Sequence, residues 1–330
     1  MANFIAFDLE GPLSPQDNAY NLMKLFPEGD RVFEVISRYD DLLTLEAREG
    51  YEPGDTLALI VPFLVRHNIT EENITTLAAN ASFTGGTHNL IQQLGYNSWK
   101  VFCITTTYEQ YAIHLTQKLG IYAHNVASTP LPLAQIRQTS GKEGLELIQQ
   151  VEADILTMRP VDDDGRIKQR LDEFFWEKLP TTPLGKVIRQ VKPIGGRRKV
   201  DALNKFADKY SQPLSRWVVV GDSITDFRMF QAVESAGGLA IAFNANEYAL
   251  PYATMSLAST FISDLTDVLA AWKQGQRKEV ERLVKEKESL GGSGDRGHFH
   301  WLAGRKNIDE VVALHKRLRR LVREEAGKLG

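Results

Sequence analysis

The chain has one cysteine in 330 residues, no apolar run approaching the ~18 residues of a membrane span, and almost no excess of charge. Each shortage excludes something. A lone Cys103 cannot close an internal disulfide, and its place in an apolar stretch reads as a small buried core residue. With 39 Lys and Arg against 42 Asp and Glu, the formal charge of -3 gives no global signal for nucleic acid. The first apolar run is broken by Asp8 and lacks a basic leader, so no ordinary signal peptide is expected and the protein is expected to be cytoplasmic. Asp162-Asp163-Asp164-Gly165 lacks the spacing and closing Glu of a calcium loop and reads as a solvated turn. His298 and His300 have no further His or Cys nearby, so they read as incidental rather than as ligands. What the chain does have is 43% hydrophobic residues, enough core for roughly two structural units.

Its most informative stretch is Phe4-Ile5-Ala6-Phe7-Asp8-Leu9-Glu10-Gly11-Pro12, a buried-strand pattern that ends in two carboxylates. Charges at the end of a buried strand cost free energy unless compensated. Trp217-Val218-Val219-Val220-Gly221-Asp222-Ser223-Ile224-Thr225-Asp226 repeats the grammar downstream. Side by side in a parallel sheet, the two strands bring Asp8, Glu10, Asp222 and Asp226 to one crevice at the sheet's carboxyl edge. Converging acids with oxygen ligands alone call for a hard cation, magnesium rather than zinc. Two further stretches bear on the same crevice. Lys100 to Thr107 is a strand ending in three hydroxyl residues, and Arg197-Arg198-Lys199-Val200 puts a lysine at a helix start. A strand-end threonine with free N–H groups, plus an ammonium, suits a phosphate dianion.

In order and context these stretches resemble the haloacid-dehalogenase superfamily of phosphotransferases: Asp8-Leu9-Glu10-Gly11, then Thr105, then Lys199, then Gly221 to Asp226. The branch most resembled contains phosphoserine phosphatase. The resemblance implies an α/β fold, a Rossmann-like parallel sheet with an inserted helical cap. It implies a core from 1–13 and 86–272, with an extended helical insertion at about 130–196, a helical cap at 14–85, and a charged helical tail at 273–330. The periodic segments in 14–85 fit such a bundle, among them Thr56 to Leu64 and a helix capped by Thr70 and Asn73. Gly85-Gly86 reads either as the return hinge or as an ordinary helix-start loop. Within the insertion, Leu171, Phe174, Phe175 and Trp176 are expected to pack on the main body. Buried strands are expected at Leu239 to Phe243 and, as the last, Thr254 to Leu257.

The tail ends in a helix with Ile308, Val311, Val312, His315, Leu318, Leu321 and Val322 on one face and Lys316, Arg317, Arg319, Arg320 and Arg323 elsewhere. That pattern reads as a stripe packed on its own domain with solvated charges; the other use of such a helix is as a homodimer or complex surface.

Chemically, the resemblance implies a magnesium-dependent phosphohydrolase of a small phosphorylated metabolite. Asp8 is the nucleophile and forms an aspartyl-phosphate, Glu10 is the general acid and base, and Thr105 and Lys199 hold the phosphoryl oxygens. Asp8, the backbone carbonyl of Glu10, and Asp222 hold the ion, with Asp226 on its waters or neighbouring groups. Asp17 can stand for the acid with which phosphoserine phosphatases read an amino acid, but no arginine accompanies it between Thr56 and Leu64. Thr105-Thr106-Thr107 also departs from that branch's Ser-Gly-Gly, and Thr225 stands where Asn is usual, so poor phosphoserine hydrolysis is expected. A loose whole-chain similarity to archaeal proteins labelled energy-converting hydrogenase A subunit R keeps a second reading open, a non-catalytic subunit of a larger complex.

Overall fold

The computed structural model describes residues 3–323. Seven strands form one sheet in the order β3-β2-β1-β4-β5-β6-β7. They are β1 (Asn3–Phe7), β2 (Trp99–Tyr108), β3 (Val126–Thr129), β4 (Trp217–Gly221), β5 (Leu239–Phe243), β6 (Met255–Ala258) and β7 (His298–Trp301). The first six run parallel, and β7 pairs antiparallel with β6. Parallel strands covered on both faces must be apolar on both, which is why β1, β4 and β5 read as unbroken apolar runs. Ile5, Phe7, Val218 and Val220 face one core layer, while Phe4, Ala6, Trp217 and Val219 face the other, as a period of two requires.

From β1 the chain moves outward through β2 to β3 on one side, and from β4 through β5 to β6 on the other. The switch point therefore lies between β1 and β4. Their register sets Phe7 opposite Val220, and Asp8 N–H donates to the Val220 carbonyl at 2.8 Å. The residues that follow both strands emerge together above the carboxyl edge, where open α/β sheets leave a crevice.

Between β1 and β2 the chain makes the helices Asn18–Met23, Gly29–Leu45, Thr56–Leu59, Val61–Arg66 and Glu71–Asn80. Pro62 breaks what the periodicity suggests is one helix from Thr56 to Leu64, because it has no N–H for the preceding turn. The Thr70–Asn73 capping box forms, with Asn73 N–H on Thr70 Oγ1 at 3.1 Å and Thr70 N–H on Asn73 Oδ1 at 2.8 Å. Outgoing and returning chains are tied where they cross: Thr84 N–H reaches the Leu13 carbonyl at 3.0 Å and Thr84 Oγ1 the Gly11 carbonyl at 3.2 Å. Gly86 itself precedes the Thr87–Tyr96 helix with φ +80°.

Two expectations are corrected. Phe174, Phe175 and Trp176 pack on the first helical segment rather than on the main body. Trp176 donates to Tyr39 Oη at 2.7 Å, Arg48 lies 4.4 Å over the Trp176 ring, and Phe174 approaches Phe63. Ion pairs of Arg38 with Asp164 and of Arg66 with Glu152 join the same two segments. The apolar pattern shows that a face is buried but not against what. Secondly, the strand at Met255–Ala258 is not the last. The tail returns after the Thr266–Leu290 helix and adds β7, burying Phe299 and Trp301 and turning His298 and His300 outward from that face. Within 273–330, residues 324–330 lie outside the described residues.

Candidate active site

Asp8, the first residue past β1, is buried, and its two oxygens are engaged differently. Oδ1 accepts the Leu9 N–H at 2.7 Å, and Oδ2 accepts from Lys199 Nζ at 2.6 Å. Lys199 comes from the first turn of the Arg197–Lys209 helix, is fully buried, and also donates to Asp226 Oδ1 at 2.7 Å. Asp226 Oδ2 in turn accepts the N–H groups of Asp222 at 3.0 Å and Ser223 at 3.1 Å. Two glycines make this density of carboxylates feasible. A Cβ on Gly221 would sit 2.4 Å from the Asp226 carboxyl carbon, and one on Gly11, whose φ is +94°, 2.3 Å from that of Asp222.

Burial, opposed by Lys199 and reinforced by Asp226 and Asp222, pushes the Asp8 carboxyl up to about 7. For Lys199 burial works against the charge, but Asp226 and Asp8 outweigh it, and the ammonium is held more firmly than usual. Glu10 accepts the Asn18 N–H at 2.6 Å. Burial first, then the neighbouring Asp17, push it up to about 8 against the Asn18 hydrogen bond, so it stands protonated near neutral pH.

Asp8, Glu10 and Asp222 border a cavity of about 140 Å³ at the switch point, with Lys199 and Asp226 behind them. Asp8, Glu10, Asp222, Thr106 and Thr225 line it from the sheet edge, and Asp17, Ser37 and Leu57 from the helical segment. Thr105 does not line it; it is buried in β2 with its Oγ1 accepting the Thr107 N–H at 3.3 Å. Thr106 faces the cavity and donates to the Ile194 carbonyl at 3.2 Å. Across the mouth, Glu52 accepts the Arg197 N–H at 3.0 Å and pairs with Arg228, and Asp55 pairs with Arg198, strapping the helical segment to the core.

The tail supplies what sequence reasoning missed. Arg319 and Arg323, expected among solvated charges, are buried at 4% and 8% exposure and converge on Asp222 Oδ2, Arg323 at 2.9 Å. Arg323 also donates to the Pro15 carbonyl at 3.2 Å. A usable signal was present: Val311, His315, Arg319 and Arg323 recur every four residues, on one side of a helix that buries Val311 and His315.

Among the described residues, the one group of three or more side chains able to hold a metal is Asp8, Asp222 and Asp226, each offering an oxygen within 4.8 Å of the others. An all-carboxylate, buried donor set of this spacing fits a hard divalent cation. His298 and His300 belong to no such group.

Strand order, switch point and site placement together define an α/β fold built on a mostly parallel, doubly wound sheet, with the candidate site at its carboxyl edge. No protein-family model matches the chain, and no curated protein does. Among solved structures, a gene product of Archaeoglobus fulgidus is 26% identical over 100% of this chain and 99% of its own, with a TM-score of 0.86, so the tail is part of the shared architecture. A substrate-bound phosphoserine phosphatase complex is 17% identical over 81% of this chain and 98% of its own, with a TM-score of 0.49. A probable phosphoserine phosphatase from Vibrio cholerae is 17% identical over 78% and 60%, with a TM-score of 0.47. No helix among the described residues is long and apolar enough to cross a membrane.

Proposed function

We propose that the protein is a magnesium-dependent phosphohydrolase that acts on a small phosphorylated compound through an aspartyl-phosphate at Asp8. The observation that carries this reading is that buried Asp8, bonded to Lys199 at 2.6 Å, lines one cavity together with Glu10. A carboxylate attacking a phosphate ester splits one difficult hydrolysis into two easier steps. Asp8 attacks phosphorus, the bond to the leaving oxygen breaks, and Glu10 delivers its proton to that oxygen. Glu10, now ionised, then takes a proton from water as the water attacks the phosphoryl group and frees Asp8. Lys199, the Leu9 N–H and the Thr106 backbone offer positive charge and donors to the phosphoryl oxygens. Asp8, the Glu10 carbonyl and Asp222 would hold the magnesium ion, which supplies charge neutralisation between nucleophile and phosphate. Asp226 anchors Lys199 and the Asp222 backbone.

Turnover of an aryl phosphate with magnesium, lost with EDTA, is the expected result; no turnover with any divalent cation would remove the reading. One observation favours a second reading, a non-catalytic module of a larger assembly: two guanidinium groups already neutralise Asp222. Stable co-purification with other subunits and no turnover would select that reading.

A further inference from the structure

Two buried arginines on one carboxylate oxygen are more positive charge than that oxygen needs. Lys199, Arg319 and Arg323 meet Asp8, Asp222 and Asp226 in direct ion pairs, so each of the three basic groups has a carboxylate partner before any ligand enters, with Asp17 lining the cavity beyond them. A divalent cation on Asp8 and Asp222 and a phosphoryl dianion compensate each other. Asp222 then shares its charge with the cation, and the guanidinium groups lose most of their compensation. Buried charge that loses part of its compensation is costly, and an anionic group on the ligand restores the balance. Bonding capacity is already spare: Arg319 Nε is buried without a hydrogen-bond partner. Position decides which part of a substrate they meet. Lys199, bonded to Asp8, and Thr106 stand at the phosphoryl end, whereas Arg323 is bonded to Pro15 and lies near Glu10 and Asp17, on the side where a leaving group departs.

We propose that Arg319 and Arg323 are specificity residues that bind a second acidic group, a carboxylate or a second phosphate, on the leaving group of the phosphorylated substrate. The proposal rests on the phosphohydrolase reading. Planar guanidinium groups in a desolvated crevice suit bidentate recognition of such an anion.

Three compounds with one two-carbon leaving group test it: 2-hydroxyethyl phosphate, phosphoglycolate, and ethanediol bisphosphate. With the full chain and magnesium, kcat/KM for at least one acidic compound is expected to exceed that for the neutral one by about 100-fold, the scale of a buried charge-assisted pair. Which acidic compound gains separates carboxylate from phosphate. In Arg319→Gln and Arg323→Gln the advantage falls at least about tenfold, mostly through KM, and Arg323→Lys recovers only part of it. Equal kcat/KM for all three compounds in the wild-type protein overturns the proposal and needs no variant to fold. So does an advantage that survives in both folded variants. Calorimetric titration of the same compounds with magnesium present separates this failure from failure of the enzyme reading. Without turnover of any phosphate, tighter binding of an acidic compound by wild type, lost in the Gln variants, still supports the subsite; equal binding sinks it.

Discussion

The crevice is held by two positively charged clusters, and they are built differently. Lys199 is fully buried and has two carboxylates of its own, Asp8 and Asp226, at 2.6 and 2.7 Å. Arg319 and Arg323 share a single carboxylate oxygen of Asp222, Arg319 also donating to the Asp222 carbonyl at 3.3 Å, and the buried Arg319 Nε is unpartnered. The first cluster joins elements of the core; the second reaches in from the last described helix. A saturated cluster fixes geometry, whereas an under-used one retains capacity for a ligand.

The sharpest way to break this contrast is Lys199→Met. Two buried carboxylates lose their counter-charge, a change that typically costs about 3 to 5 kcal/mol when one partner of a buried pair is removed. Denaturant unfolding is expected to show that loss, and aryl phosphate turnover to fall at least ~10³-fold, as loss of a transition-state charge donor allows. Retained stability would mean that Lys199 is not the structural centre of the cluster.

Glu10→Gln comes next. General acid–base groups contribute about 10² to 10⁴-fold, so single-turnover phosphoryl transfer from an alkyl phosphate is expected to slow within that range. Transfer from p-nitrophenyl phosphate, whose leaving group needs little protonation, should slow least. Because burial and Asp17 push Glu10 up to about 8, the wild-type rate with an alkyl phosphate should fall as pH rises through that value. The falling limb should vanish in the variant. A limb that persists in Glu10→Gln would assign it to another group.

The smallest effect concerns the helix that carries the arginines. Burial, with lesser contributions from His300 and His298, pulls His315 down to about 3, and its Nδ1 accepts the Ala245 N–H at 2.9 Å. Unfolded, it titrates near the ordinary histidine value of about 6.5. Its contribution is therefore complete above that pH and is lost as pH falls toward the folded value, at about 1.4 kcal/mol per unit. Between pH 7 and pH 5 the wild-type protein should lose about 2 kcal/mol more than His315→Asn, measured by urea unfolding. Equal losses would show that His315 is free to protonate in the folded helix.

What could be read from the sequence divides along the same line. Asp8, Asp222 and Lys199 sit in short stretches whose chemistry and strand or helix context coincide, so their meeting at the switch point followed from topology. Thr105 and Thr106 differ by one residue on β2, and only the strand's register decides which faces the cavity. Arg319 and Arg323 are easily misread because an arginine on an amphipathic helix is solvated by default, although their four-residue spacing with Val311 and His315 puts them on the buried side. Their burial depends on Asp222, 97 and 101 residues earlier. β7 escaped for another reason: four residues beside a glycine-rich turn give alternation too little length to register, although Phe299 and Trp301 are buried.

The central claim is that Asp8 is the nucleophile, and the most direct measurement is to trap the phosphoryl group on the enzyme. Quenching the reaction with radiolabelled substrate, reducing the acyl phosphate and mapping the modified peptide should place the label on Asp8. Asp8→Asn, nearly isosteric, should fold and carry none. A label on another residue, or normal turnover by Asp8→Asn, would contradict the account.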